Sequence, residues 1–282
     1  MVAYDYLELT YVDDADIKKY VRTVRGKADQ ITKAWSKELS TEWMMRNYQA
    51  MKVIFGAQLM LDVATYSEAK NIRLTVPYLV YYSIFNSCRA LMLTDPFNDW
   101  NDHKLAEVSH IKVCNYAVAA VKRLDPQKGE QLNEFFNGAK AHRELLSYKF
   151  PAQGLRQAGA TFSIEAVGDW CSLVCELAEM NSECLYASWE KVSGVHFSPD
   201  SEKMAKLVWY DGETTDFADD DDARRLAYLI RKYEGPPYLV SIATAGMVED
   251  IYGAWCEEES EHTVGNFNPD HHDGPRIFRY RG

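Results

Sequence analysis

Residues 74–93, "LTVPYLVYYSIFNSCRALML", decide the fold class. Thr75 stands as an N-cap with Pro77 close to N1, and Asp95-Pro96 ends the run. Between these signals apolar residues cover nearly the whole helical circumference rather than one stripe. Such a helix must be surrounded by others, which predicts a mainly α chain with this segment at the centre of a bundle. Arg89 lies on that apolar helix, where a buried arginine must be paired, and it is read as structural.

Working outward, residues 40–70 predict a long helix capped by Ser40 or Thr41, with Trp43, Tyr48, Met51, Phe55, Leu59 and Val63 at helical spacing. Residues 107–124 predict a third helix, ended by Asp125-Pro126, and residues 129–150 a fourth, stopped before Pro151. Ser163 caps a final long helix that runs to Val192. Long helices joined by short connections predict an antiparallel up-and-down bundle over residues 41–193. Residues 1–40 form an N-terminal extension, with a short strand at 4–12 and helical signals from Asp13 onward.

After Gly194 the composition shifts. Residues 1–193 hold 22 Lys and Arg against 24 Asp and Glu, whereas residues 194–282 hold 9 against 18. The latter are expected to form a smaller acidic C-terminal appendage, mixed or mainly helical, that docks on the bundle without being needed for its folding. Within it, "KLVWYDGE" (206–213) reads as a strand and turn. "DFADDDDARRLAYLIRKY" (216–233) has acidic residues first and basic ones later, as suits a helix dipole. Its Asp219–Asp222 run lacks calcium-loop spacing and reads as a helix start or a partner-facing patch. A chain of net charge −11 repels nucleic acid globally, so any RNA site must be a local basic patch.

No apolar run approaches the roughly 18–20 residues a membrane span needs. The acidic start "MVAYDYLELTYVDDAD" lacks a signal-peptide pattern, and a cytoplasmic location without membrane contact is expected. The six cysteines show no disulfide-framework spacing. Cys171 and Cys175, one turn apart, are read as small buried hydrophobes rather than a metal or redox pair.

Three blocks resemble one family. "YLVYYSIFNSCRAL" (78–91), "SHIKV" (109–113) and "AHRELLSYKF" (141–150) are similar, in order and separation, to the helix, Ser/Thr-His and Arg-x-x-x-x-Tyr segments of HEPN (higher eukaryotes and prokaryotes nucleotide-binding) domains. The resemblance implies a four- or five-helix bundle that usually dimerises and serves as a toxin ribonuclease, a nucleotidyltransferase companion or a defence module. Active members carry Arg-x(4–6)-His: the histidine moves a proton and the arginine stabilises phosphate charge.

By this resemblance the arginine is Arg143, but Tyr148, Lys149 and Phe150 stand where the histidine would be. None of the seven histidines follows an arginine by five to seven residues, so the motif is absent. His142 adjoins Arg143, yet neighbouring helix positions do not converge on one phosphate. Arg143, with Lys140, Lys149 and Arg156, is either an RNA or phosphate contact or a structural arginine. His110 is either a helix-start or core residue or a catalyst. His262, His271 and His272 form a weak metal candidate near "NPDHHDG", better read as solvated.

The expected function is therefore a non-catalytic HEPN-like protein that binds RNA or a partner protein, the latter through the acidic region, in a toxin–antitoxin or phage-defence setting. An atypical ribonuclease using Arg143 with His110, His142 or Tyr148 is the first alternative, and a structural helical protein unrelated to nucleic acid the second. No cofactor is expected. The large apolar circumference of helix 76–94 predicts a homodimer through the bundle.

Overall fold

The structure is a computed structural model. It describes residues 12–100, 104–105, 107–152, 154, 163–192, 209–210, 213–214, 220–255, 265–268 and 275–278. The expected strand at 4–12 lies almost wholly outside these residues. So do Arg156, His262, His271, His272 and the 193–194 boundary.

The described chain is mainly helical. The elements are α1 (Asp14–Thr32), α2 (Lys37–Ala69), α3 (Val76–Thr94), α4 (His110–Leu124), α5 (Pro126–Glu144) and α6 (Ile164–Val192). A two-residue antiparallel pair follows, β1 (Trp209–Tyr210) with β2 (Glu213–Thr214). Then come α7 (Asp220–Lys232), α8 (Leu239–Ile242) and α9 (Ala245–Gly253). Helix α3 packs against α2, α4, α5 and α6, and α1 lies on α6. Val80, Tyr81, Ile84, Cys88, Ala90, Leu91 and Met92 of α3 are all buried. The apolar circumference that prompted the homodimer expectation is thus largely covered within the chain.

Capping differs from the sequence reading in three places. Helix α2 begins one turn earlier: Ser36 Oγ accepts from Leu39 N at 3.3 Å, while Ser40 and Thr41 are buried inside the helix. A hydroxyl that donates back to a carbonyl, as Thr41 does to Lys37, is satisfied without acting as a cap. Thr75 stands at the N-cap of α3 but makes no side-chain capping bond, because its hydroxyl donates to the Ile72 carbonyl at 3.1 Å. Asp125-Pro126 both ends α4 and starts α5. Asp125 Oδ1 accepts from Gln127 N at 2.7 Å, and Pro126 occupies the first turn, where its missing N–H costs nothing. Ser163 caps α6 as the sequence suggests, and Asp13 caps α1.

Helix α2 closes with a Schellman motif that periodicity does not reveal. Asn71 adopts φ 60°, its N–H donates to Glu68 O, and Ile72 N donates to Ser67 O at 2.7 Å.

The core includes a polar anchor. Arg46, 1% exposed on α2, stacks on Trp43 and donates to Leu93 O (2.6 Å), Asp95 O (2.8 Å), Asn98 O (3.0 Å) and Glu42 Oε1 (2.9 Å). One guanidinium therefore satisfies the carbonyls left open at the end of α3 and in the turn after it. Asp95 is fully buried beside Arg123, with which it forms an ion pair.

The C-terminal helices share this core. Leu226, Leu229, Leu239, Ile242, Met247, Tyr252, Ile277 and Phe278 belong to the same buried cluster as α2, α3 and α6. Asn47 Nδ2 donates to Pro237 O at 2.6 Å, Leu239 N to Ser182 Oγ at 3.2 Å, and Ile277 N to Gln58 Oε1 at 2.9 Å. Asp222, 1% exposed in the first turn of α7, receives both the Tyr48 hydroxyl and the Lys52 ammonium. The acidic run at least in this residue points inward. Where "PPYLVSIATAGMVEDIYG" reads as one helix or a strand, two short helices occur, because Thr244 interrupts the path and caps α9.

Among the described residues no helix is long and apolar enough to cross a membrane.

Candidate functional site

Three helix ends meet at one end of α3. Tyr81, Phe85 and Arg89 recur every four residues along one α3 stripe, with Tyr82 beside them. His110 is the first residue of α4, and Lys140, Arg143 and Glu144 lie in the last turns of α5.

His110 is the hub. Its Nδ1 lies 2.6 Å from Tyr81 Oη, and its ring stacks on Phe85 with centroids 4.1 Å apart. The Arg143 guanidinium lies 4.6 Å from the Tyr81 ring centroid, a cation–π contact, and hydrogen-bonds Tyr82. Its other partner is Glu144, at 3.4 Å, and Lys140 lies 3.8 Å from the same carboxylate. The buried Arg143 Nε–H has no hydrogen-bond acceptor.

Electrostatics follow from this crowding. Burial, then the positive charges of Arg143, Arg89 and Lys140, push the His110 pKa below its ordinary value. A position at the N-terminus of α4 works in the same direction, since the helix dipole disfavours a cation there. Burial pushes the Tyr81 hydroxyl up to about 12, so it stays protonated at neutral pH. The cluster thus presents several cations around a neutral imidazole, and it can accept an anion with phosphate-like oxygens.

Of the residues singled out in the sequence, His110, Arg143, Lys140 and Arg89 come together here. Tyr148 does not join the cluster; it is 78% exposed. Lys149 is also exposed, on the π-helical turn Leu145–Lys149 that continues α5, and His142 is half-buried on α5. Ser147 ties this turn to the same end of the bundle, donating to Tyr78 Oη at 3.2 Å. In the sequence Tyr81, Tyr82 and Phe85 belong to the apolar circumference of helix 76–94 that predicts a homodimer. Their shared stripe with Arg89 is the signal that links them to the cluster.

The five described cysteines behave as buried hydrophobes. Cys88, Cys171 and Cys175 are free and fully buried; burial pushes the Cys171 thiol up to about 11 and raises those of Cys88 and Cys175 too. Among the described residues no group of three or more His, Cys, Asp or Glu side chains could hold a metal ion.

A concavity of about 390 Å³ opens between α7 and the start of α9, lined by Tyr48, Arg225, Tyr228 and Lys232 among others. It lies toward the Arg46 end of the bundle. Tyr81 and Leu93 are twelve residues apart on α3, which separates the two ends by roughly 18 Å.

No family model, curated protein or solved structure matches this chain.

Proposed function

We propose that the protein binds RNA through phosphate contacts at the His110–Arg143 end of the bundle and does not cleave it. The observation that carries this reading is the convergence of three cations, Arg143, Arg89 and Lys140, on His110 at one end of the bundle. A phosphate at this end relieves the repulsion among these cations. Under the resemblance to HEPN domains, such a binder belongs in a toxin–antitoxin or phage-defence setting.

The test is fluorescence anisotropy of a labelled RNA oligonucleotide at several salt concentrations, with wild type and Arg143→Ala. Binding that weakens steeply with salt and is lost in the variant supports the reading. Salt-independent binding, or binding indifferent to Arg143→Ala, refutes it.

The convergence of His110 with Arg143 favours a second reading, an atypical ribonuclease. The missing Arg-x(4–6)-His spacing is a statement about one helix, and here the histidine arrives from another. A lowered pKa leaves His110 neutral at pH 7, the form a general base needs. Single-turnover cleavage by metal-free protein, abolished in both His110→Ala and Arg143→Ala, would replace binding with catalysis. Light scattering on the same samples tests the expected homodimer, whose support now rests on exposed Ile72, Leu74 and Ile111 rather than on the core of α3.

A further inference from the structure

The segment that leaves α5 is unusual in backbone and in side chains. The helix widens into the π-helical turn Leu145–Lys149, closed by Phe150 N donating to Leu145 O at 3.0 Å. Phe150 then adopts φ 37° and ψ 68°, the left-handed region that favours glycine or asparagine. The same chain uses Asn71 for the corresponding position after α2. A phenylalanine there is strained, and no burial offsets the strain, since Phe150 is 69% exposed and Tyr148 is 78% exposed. π-Helical turns and strained backbone cluster at functional sites, where surrounding structure sustains them for a purpose.

The surroundings say what that purpose is. Exposed Lys149 stands between the two rings in sequence. Ser147 accordingly marks the junction: its hydroxyl meets both Arg143 O and Tyr78, which ties the turn to the Arg143 end of α5. Two solvent-facing aromatic rings flanking Lys149, on the turn that continues the helix carrying Arg143 and Lys140, match the chemistry of an unpaired polynucleotide: bases stack on rings while phosphates meet cations. A duplex keeps its bases stacked inside and offers nothing to such rings.

We propose that Tyr148 and Phe150 form a base-stacking platform, so that the RNA bound at this end is single-stranded. This rests on the RNA-binding reading above and adds to it the strand state and the residues that sense it.

The experiment uses the full chain with a single-stranded RNA, a duplex of the same sequence and a single strand carrying 2-aminopurine. Wild type should prefer the single strand and change the 2-aminopurine fluorescence on binding. Tyr148→Ala and Phe150→Ala should each weaken single-strand binding by roughly 5- to 100-fold and leave duplex binding unchanged. Phe150→Gly, which relieves the backbone, should raise the melting temperature while weakening the single strand equally; that combination excludes misfolding as the cause. Equal affinity for both forms, or full affinity in the ring variants, overturns the platform while leaving phosphate binding intact. Absence of any RNA binding by wild type overturns both. Ring variants that halve the mass in light scattering without changing RNA affinity would show that the rings join two copies of the chain, and the platform falls.

Discussion

His110 Nδ1 and Tyr81 Oη lie 2.6 Å apart, joining the first residue of α4 to the N-terminal part of the bundle's central helix. The imidazole is held by a phenol, stacked on Phe85 and approached by cations, so its protonation state reports on the whole cluster.

His110 should titrate below the ordinary histidine value of about 6.5. Arg143→Ala should raise it, because a repelling positive charge is removed. Because the folded value is depressed, the unfolded chain binds the proton more readily. His110's contribution to stability is therefore complete above about pH 6.5 and falls away as pH drops below it. Imidazole resonances followed by NMR, in wild type and Arg143→Ala, check both statements; an unshifted His110 in the variant would contradict the cation argument.

RNA binding should carry a related pH signature. A bound phosphate favours the imidazolium that Arg143, Arg89 and Lys140 disfavour, so affinity should rise as pH falls from about 7.5 toward 5.5. Anisotropy titrations across that range, with His110→Gln as the control that flattens the dependence, measure it.

Arg46→Ala should be among the most damaging single substitutions. It leaves Leu93 O, Asp95 O and Asn98 O without their buried donor and opens a cavity beside Trp43. Losses of ~3–5 kcal/mol accompany removal of one partner from a buried charged network. Arg46→Lys should recover little of this, because an ammonium cannot reproduce the planar fork. Denaturant unfolding gives the numbers.

Tyr148→Phe should leave the melting temperature unchanged, since its hydroxyl stands in solvent. Arg143→Ala should lower it by about 1 kcal/mol equivalent through the lost contact with the Tyr81 ring. Parallel thermal scans separate the two.

The C-terminal helices should prove integral to the core. Gly235 faces the Trp189 ring so closely that a methyl group there would overlap the indole. Gly235→Ala should therefore cost ~1–3 kcal/mol. A chain ended near residue 193 should melt lower than the full chain and bind a hydrophobic dye, because it uncovers Tyr48, Asn47 and Phe55. A truncated chain that melts at the full-chain temperature would restore the view of a dispensable appendage.

The helical class was legible because local rules and packing agree. The 74–93 run is apolar on all sides, and only enclosure by other helices keeps such a surface from water. Helix ends were legible where a proline or a short polar side chain acts on its own backbone, as at Ser163 and Asp95-Pro96. They were misplaced where two polar residues one turn apart both suit a cap, as at Thr41, which instead donates to Lys37 O inside α2 while Ser36 caps the helix.

The sequence by itself determined the mainly helical class, the long apolar helix at its centre and the absence of an Arg-x(4–6)-His motif on α5. Only the tertiary structure decided that His110 meets Arg143, that Arg46 closes the end of α3 and that Asp222 faces inward to Tyr48. The physical reason is range. Helix formation and capping involve residues within about four positions, so composition and spacing record them. A buried hydrogen bond between α4 and α3, or between α7 and α2, depends on how helices pack, and the residues that make it carry no local mark of their partner.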